Sequence, residues 1–186
     1  MKKLKNINPF TDTEQFITGL KKEDTRNLRL TRRFQWIMWA FVLLYGTFFL
    51  IIPAKDIILT QRLGGLSDAL AFAVFALVFR KLYLDYRSVD YGVSTVEMLK
   101  QTIIRYHIFH RKILLIIPPI LLVDLGTVLL KYDPAKAENL SSIIVESQIL
   151  LFSSLGVGLF IGYFIWRKRQ KPLRDAAKAM LKEIES

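Results

Sequence analysis

Three carboxylates lie within long apolar runs of this chain: Asp68, Asp124 and Glu146. A carboxylate in hydrocarbon is costly unless it is protonated, hydrated or paired. Thr127 follows Asp124 by three residues and continues the same helical face. One interpretation is an outward-opening polar cavity between the third and fourth helices, formed by these four residues, that binds a cation or a proton. It would make the chain a small transporter or channel.

The alternative interpretation is that the three acids lie near the membrane interface and form no common cavity. Headgroup water then hydrates them, or the loop lysines neutralise them, and the long side chain of Lys131 or Arg62 reaches inward as a counter-ion. The two interpretations differ in whether the carboxylates face an aqueous path or a neighbouring helix.

A cluster of basic residues precedes the first apolar run. Arg26, Arg29 and Arg33 recur at i, i+3 and i+7 and share one face of a helix, with Arg32 beside them. Near an anionic leaflet, each basic residue adds about 1 kcal/mol of membrane attraction. These arginines predict contact with lipid headgroups or, alternatively, only a signal that orients the first span.

A ladder of small residues recurs at every fourth position of the last apolar run: Ser154, Gly158 and Gly162. Small residues at this spacing let two helices approach closely in lipid. The ladder predicts helix packing against another helix of the same chain or, alternatively, the face of a homodimer.

The sequence predicts neither an enzyme nor a cofactor. Cysteine is absent, which excludes disulfides, thiolate metal sites and cysteine nucleophiles. His107 and His110 are three residues apart, but a metal needs a third and usually a fourth ligand, and no motif supplies them. No metal site is therefore predicted. Walker loops, nucleophile elbows, zinc-protease helices and dinucleotide-binding fingerprints are also missing from the sequence.

The formal net charge of +11 is compatible with a polyanionic partner. Lys and Arg cluster between apolar runs, however, instead of forming one basic domain with aromatic stacking partners. Nucleic-acid binding is therefore not predicted. The partners predicted are the lipid bilayer and a cytoplasmic protein.

Four apolar runs are long enough to carry these residues across a bilayer. A helix rises about 1.5 Å per residue, so about 20 residues span a hydrocarbon core of roughly 30 Å. The runs are residues 34–52, 66–83, 113–130 and 142–166. They predict an all-α fold, an integral membrane bundle of four transmembrane helices. Pro118 and Pro119 are expected to kink the third helix near its middle.

Residues 1–33 form a polar amino-terminal segment. A short amphipathic helix is predicted in it, broken near Gly19 or after Lys22. Asp24 or Thr25 can cap a second helix that runs on into the first span.

The transmembrane domain, residues 34–166, contains a long polar segment at residues 80–112. Ser94 and Glu97 form a capping box there, which predicts an amphipathic helix from about Thr95. This helix is expected to lie against the bilayer or, alternatively, to extend the third span into solvent. The Gly64–Gly65 pair is expected to break the chain before the second span, and residues 167–186 to form an amphipathic tail.

Lys and Arg are unevenly distributed among the segments outside the apolar runs. Residues 1–33 hold nine, residues 53–66 two, residues 80–112 seven, residues 131–141 two and residues 167–186 seven. Segments rich in Lys and Arg stay in the cytoplasm. Both termini and residues 80–112 are therefore predicted to be cytoplasmic, and the two sparse segments to lie outside.

The middle polar segment carries a resemblance to a known group. The run Asp85-Tyr-Arg-Ser-Val-Asp-Tyr91 is followed by Val96-Glu-Met-Leu99 and by Arg105-Tyr106. This pattern and the hydropathy plan resemble four-span inner-membrane proteins of Bacteroidetes-type bacteria. Members of that group are sometimes encoded beside sigma factors, so the resemblance implies a regulatory partner. It implies no catalytic residue, because none is established for the group.

Together these features predict a non-enzymatic multi-pass protein of the bacterial inner (cytoplasmic) membrane. Its basic cytoplasmic face, residues 1–33, 80–112 and 167–186, is expected to bind a regulatory protein partner, anionic lipid or both. The alternative is the small transporter or channel that uses the membrane carboxylates.

Overall fold

The computed structural model describes residues 9–51, 57–107, 111–136 and 139–186. Six α-helices follow one another along these residues: α1 (Pro9–Gly46), α2 (Leu59–Arg87), α3 (Thr95–Arg105), α4 (Ile117–Lys131), α5 (Leu140–Ile165) and α6 (Lys171–Glu185). A π-helical turn at Thr47–Ile51 continues α1, and another at Trp166–Gln170 joins α5 to α6. Short 3-10 helices occupy Arg111–Ile116 and Pro134–Lys136.

Four helical stretches are long and apolar enough to cross a membrane: Thr13–Ile51, Leu59–Arg87, Leu114–Lys131 and Leu140–Glu185. Each overlaps one of the four apolar runs predicted as spans. The predicted all-α bundle is therefore confirmed, and the chain is a multi-pass membrane protein by the length and composition of its helices.

Aromatic stacking fixes the register of α1 against α2. The rings of Phe34 and Phe79 have centroids 5.4 Å apart, and those of Phe41 and Phe72 have centroids 5.1 Å apart. A step of seven residues toward the carboxyl end of α1 thus corresponds to a step of seven residues toward the amino end of α2. The two helices therefore run antiparallel, and a seam of heptad spacing joins them.

Small residues bring α2 and α4 into close contact. A Cβ atom placed on Gly64 would lie 2.8 Å from the carbonyl oxygen of Gly126. Nearby, Ser67 Oγ donates a hydrogen bond to the carbonyl oxygen of Leu122 at 2.8 Å. Gly64 and Gly65 lie inside α2, so the prediction that they break the chain before the span is wrong. They are part of the packing surface of the helix.

The proline pair begins a helix and does not bend one. Pro118 and Pro119 lie in the first turn of α4, directly after the 3-10 helix Arg111–Ile116. Backbone N–H groups in a first turn have no partner within the helix, so a proline costs little there. The predicted kink in the middle of the third span is therefore wrong.

The helix α1 is continuous over Pro9–Gly46, and the predicted break near Gly19 or Lys22 is wrong. A Cβ atom on Gly19 would meet the Leu173 side chain of α6 at 3.5 Å, an ordinary contact distance. Asp24 consequently lies in the middle of a helix and caps none. At Gly19, packing against α6 supports the continuous helix.

The first half of α1 packs with α3 and α6 into a unit that we call the helical head. Its core consists of Phe16, Leu20, Met98, Leu99, Tyr106 and Ala177. The predicted helix start at Thr95 and its Ser94 cap are confirmed, because the Glu97 backbone N–H donates to Ser94 Oγ at 3.4 Å. The Glu97 side chain accepts from Gln101 Nε2 at 3.0 Å, and no described hydrogen bond completes the reciprocal half of the capping box. The apolar stripe of α3 packs into this core, and the predicted placement of the helix against the bilayer stays a prediction. The alternative, that α3 extends the third span into solvent, is wrong, because α3 ends at Arg105 and its apolar side chains pack in the head.

The segments between the spans sort to two ends of the bundle. The three segments rich in Lys and Arg meet in the helical head. At the opposite end, Thr60 Oγ1 donates to the carbonyl oxygen of Tyr132 at 3.1 Å, and this bond joins the two sparse segments. The fold therefore groups the segments in the same way as their Lys and Arg content.

Candidate functional site

A buried carboxylate organises the helical head. Asp24 is 3% exposed. Its Oδ1 accepts a hydrogen bond from Tyr106 Oη at 2.7 Å. Its Oδ2 accepts from Tyr91 Oη at 2.7 Å and from Arg105 Nη1 at 2.6 Å. Three donors, one of them charged, compensate the burial of this carboxylate.

Both tyrosines of this network keep their protons well above neutral pH. Burial raises the pKa of Tyr106 above its ordinary value, and the hydrogen bond to Asp24 raises it further. The same two causes raise the pKa of Tyr91. The network is therefore suited to hold helices together and not to exchange protons near neutral pH.

Further contacts surround this network. Trp166 Nε1, at the end of α5, donates to the carbonyl oxygen of Tyr106 at 2.9 Å. The guanidinium carbon of Arg174 lies 5.2 Å from the Trp166 ring, and the ammonium of Lys21 lies 5.3 Å from the Tyr91 ring. A cation over an aromatic face is attracted to it. These contacts connect the head to the last span.

The sequence pattern predicts Asp24 only as a helix cap, and its central place in the head is a finding of the structure. A signal is nevertheless present, because Asp24, Asn27 and Thr31 continue the spacing of Phe34 and Phe41 toward the amino terminus. One seam therefore runs along α1, polar in the head and aromatic in the span. The donors that bind Asp24 in the polar part of this seam come from distant segments, and the spacing along α1 does not identify them.

Four exposed basic residues lie where the head meets the first two spans: Arg32, Arg33, Arg80 and Lys81. The stacked ring pair next to them sets Arg33 and Arg80 at the same depth, because α1 and α2 are antiparallel. Arg32 and Lys81 are the next residues along the two helices. Among the described residues, none of the four forms an ion pair. We call these four residues the basic belt.

The predicted headgroup arginines fall into two groups. Arg26 is half-buried, and its Nη1 pairs with Glu23 Oε2 at 3.0 Å. Arg29 is exposed, and its Nε lies 3.5 Å from a carbonyl oxygen of its own helix. Arg32 and Arg33 belong to the basic belt. Three of the four predicted residues are thus exposed, whereas Arg26 is paired within α1.

The predicted membrane carboxylates have separate partners. Asp124 Oδ2 accepts from Gln148 Nε2 at 2.7 Å, between α4 and α5. Glu146 is largely exposed, and its Oε2 lies 3.6 Å from Lys131 Nζ. Thr127 Oγ1 donates to a carbonyl oxygen of its own helix at 2.8 Å. Glu146 is thus paired with Lys131, at the end of α4, as the alternative interpretation of the membrane acids predicts.

Asp68, on α2, packs against one face of α4, whereas Asp124 lies on the opposite face of α4. A Cβ atom on Gly126 would clash with Asp68 Oδ1, so Gly126 faces α2, as Leu122 does. Asp124 is midway between these two positions and faces the opposite way. No described hydrogen bond or ion pair joins any of Asp68, Asp124, Thr127 and Glu146 to another of them. Asp68 is therefore separated by α4 from the predicted cavity between the third and fourth helices, and a cavity lined by the other three residues stays a prediction.

The ladder of Ser154, Gly158 and Gly162 contacts no other helix of the described chain. A Cβ atom on Gly158 or Gly162 would have no described neighbour within 4 Å, and Ser154 is exposed. Among the described residues, the predicted packing of the ladder against another helix of the chain is therefore wrong. The homodimer face stays a prediction. Close approach between helices occurs instead at the crossing of α2 and α4.

The two histidines lie at an edge of the described chain. His107 follows α3, and His110 lies outside the described residues. Within the parts of the chain that the structure describes, no group of three or more His, Asp or Glu residues is placed to hold a metal ion. The prediction that the two histidines hold no metal stays a prediction.

Comparisons with known proteins assign no family. No family model, no curated protein and no solved structure matches the chain. The class that its own fold defines is a multi-pass helical membrane protein with a folded basic head at one end of the bundle.

Proposed function

We propose that this chain is a non-enzymatic protein of the bacterial inner membrane whose helical head lies in the cytoplasm and binds anionic lipid through the basic belt. The belt is the observation that carries the proposal: four exposed cations lie close to one depth on two packed helices, beside the aromatic pair of the first spans. Like charges placed together repel one another unless anions neutralise them. Phospholipid phosphates are the anions at this depth of a membrane.

The cytoplasmic location of the head is supported by charge. Of the 27 Lys and Arg residues, 23 lie in the three segments that meet in the head. Short segments with this excess are retained in the cytoplasm, and the cytoplasmic leaflet is the anionic one. Both termini then lie in the cytoplasm.

The Asp24 network supports lipid binding indirectly. It joins α1 to the segment after α2 through Tyr91 and to α3 through Arg105. The belt residues on α1 and α2 are thereby presented on a fixed frame. Preorganised groups lose less conformational freedom when they bind a ligand, so more of the electrostatic attraction is retained as affinity.

A lipid-dependent stability measurement tests the proposal. We expect an anionic phospholipid, added to a zwitterionic bilayer, to raise the midpoint of thermal unfolding of the parent protein. The double variant Arg33→Gln/Arg80→Gln should lose about half of this rise, since it removes two of the four belt cations and each basic residue contributes about 1 kcal/mol near an anionic surface. The matched variant Lys178→Gln/Lys182→Gln removes the same charge from α6, away from the belt, and should keep the rise.

An equal rise in both double variants would contradict lipid binding by the belt and leave these residues as an orientation signal. Salt provides a second check. Screening weakens attraction between exposed charges, so the rise should diminish as ionic strength increases.

A regulatory protein is the second candidate ligand of the same face. The head leaves Ile104 and Ile184 60% and 52% exposed, and a cleft of about 380 Å³ between α3 and α6 includes Ile103 and Leu181 in its lining. Apolar side chains on a basic surface favour a protein with an acidic, partly apolar face. Cross-linking in native membranes should capture a partner with the parent and lose it with Ile104→Asp. Capture by both would exclude this surface.

A further inference from the structure

Asp68 is a buried acid that the proposed lipid binding does not use. It lies in the second span and is 4% exposed, and its Oδ1 has no hydrogen-bond partner among the described residues. Asp124, the other acid inside the bundle, accepts a hydrogen bond from Gln148 at Oδ2, whereas its Oδ1 has no partner among the described residues. An ionised carboxylate in an apolar medium without a partner is far less favourable than the neutral acid.

The surroundings of Asp68 have the shape of a small cradle. Gly126 faces it from α4, and a Cβ atom on Gly126 would clash with Oδ1. Gly64, one turn before Asp68 on α2, contacts the same part of α4, and a Cβ placed there would lie 2.8 Å from the carbonyl oxygen of Gly126. Two glycines thus leave space for one carboxyl group at the crossing of the helices.

The elements packed around Asp68 present no described cation to it. From α1, the titratable side chain within electrostatic reach is the phenol of Tyr45. From α4, the facing positions are Leu122 and Gly126, which carry no charge, and Asp124 lies on the opposite face. A metal cation would require several oxygen ligands, and no second carboxylate faces this cradle from the described residues.

From this geometry we propose that Asp68 is a proton-binding site within the membrane. The folded protein carries Asp68 as a neutral carboxylic acid, and α2 and α4 close around it. Loss of the proton places an unpaired charge in the crossing and weakens the contact between the two helices. The crossing of α2 and α4 is therefore tighter in acid than in alkali, independently of lipid binding by the basic belt.

The pH dependence of stability tests this proposal. Where the folded chain holds one proton more than the unfolded chain, the folding equilibrium constant falls tenfold for each pH unit. Asp68→Asn keeps the shape without a proton to lose. It should therefore be more stable than the parent at neutral pH and similar to it in acid. Glu146→Gln removes an exposed carboxylate beside Lys131, away from the crossing, so it is the matched control and should keep the parent's pH dependence.

Equal pH profiles for the parent and Asp68→Asn would overturn the proposal. A second measurement does not depend on the folding of that variant. In the double variant Asp124→Asn/Glu146→Gln, infrared spectroscopy at neutral pH should show the carbonyl band of a protonated carboxyl group, and the band should disappear on unfolding. A folded double variant without this band, or with a band that persists on unfolding, would also overturn the proposal.

Discussion

At the scale of single residues, Asp24 and Asp68 show two ways in which this chain buries an acid. Asp24 receives hydrogen bonds from two tyrosines and an arginine that other segments supply. Asp68 meets the backbone of Gly126, and its Oδ1 finds no described donor. The partners of the two acids differ: three donors surround the carboxyl group of Asp24 in the head, whereas glycines make room for the neutral acid that we propose in the span.

Asp24→Asn should lower the free energy of unfolding by about 3 kcal/mol, because it removes the carboxylate from a largely buried pair with Arg105. Chemical denaturation in one detergent would measure the loss. Asp175→Asn is the control, since Asp175 is exposed, and its effect should stay within about 0.5 kcal/mol. Equal stability of the two variants would show that the Asp24 network contributes nothing.

Alkali should also destabilise the head. The pKa values of Tyr91 and Tyr106 are raised by burial and by the hydrogen bond to Asp24, whereas tyrosines in the unfolded chain ionise near pH 10, roughly their unperturbed value. The stability that these groups contribute is complete below about pH 10 and is lost as the pH rises further, because the folded chain then holds more protons. Thermal unfolding across this range should show a weaker decline for Tyr91→Phe/Tyr106→Phe. A decline equal to the parent's would refute this cause.

At the scale of helices, different side chains form the two principal contacts of the spans. Stacked rings join α1 to α2, with Phe41 on Phe72 as one pair. Glycines join α2 to α4. The small residues of α5, in contrast, contact no other described helix. A small-residue ladder in the sequence therefore does not by itself identify the crossing, and the surrounding surfaces decide which glycines pack.

Gly64→Ala and Gly158→Ala form a matched pair for this distinction. Alanine favours a helix over glycine by about 1 kcal/mol, so Gly158→Ala, in open space, should preserve or raise the midpoint of thermal unfolding. Gly64→Ala should cost about 1–3 kcal/mol, because its Cβ would press on the backbone of Gly126. If both variants unfold at the same temperature in detergent, α2 and α4 do not pack closely at Gly64.

The spans and the start of α3 were predictable because their signals are local. An apolar run is recognised from consecutive residues, and the Ser94 cap is recognised from a stretch of four residues. The contacts of the candidate site are not local. Asp24 and Tyr91 are 67 residues apart in sequence, and no periodicity specifies that they meet. The cradle at Asp68 likewise depends on Gly126, in a helix that the sequence alone does not place beside α2.

At the scale of the whole molecule, two independent features divide the chain in the same way. The content of Lys and Arg separates three rich segments from two sparse ones. Packing gathers the rich segments into the helical head and joins the sparse ones through Thr60 and Tyr132. Four spans then connect the two ends, and the basic belt lies at the boundary between the head and the first two spans.

The accessibility of single cysteines to a thiol reagent that cannot cross the inner membrane tests this arrangement most directly. Ser88, after α2 at the head, and Ala135, at the opposite end, are both exposed, and the chain has no cysteine of its own. In intact cells the reagent should modify Ala135→Cys, and it should modify Ser88→Cys only after the inner membrane is permeabilised. Modification of Ser88→Cys in intact cells, with Ala135→Cys protected, would place the head outside and contradict the account.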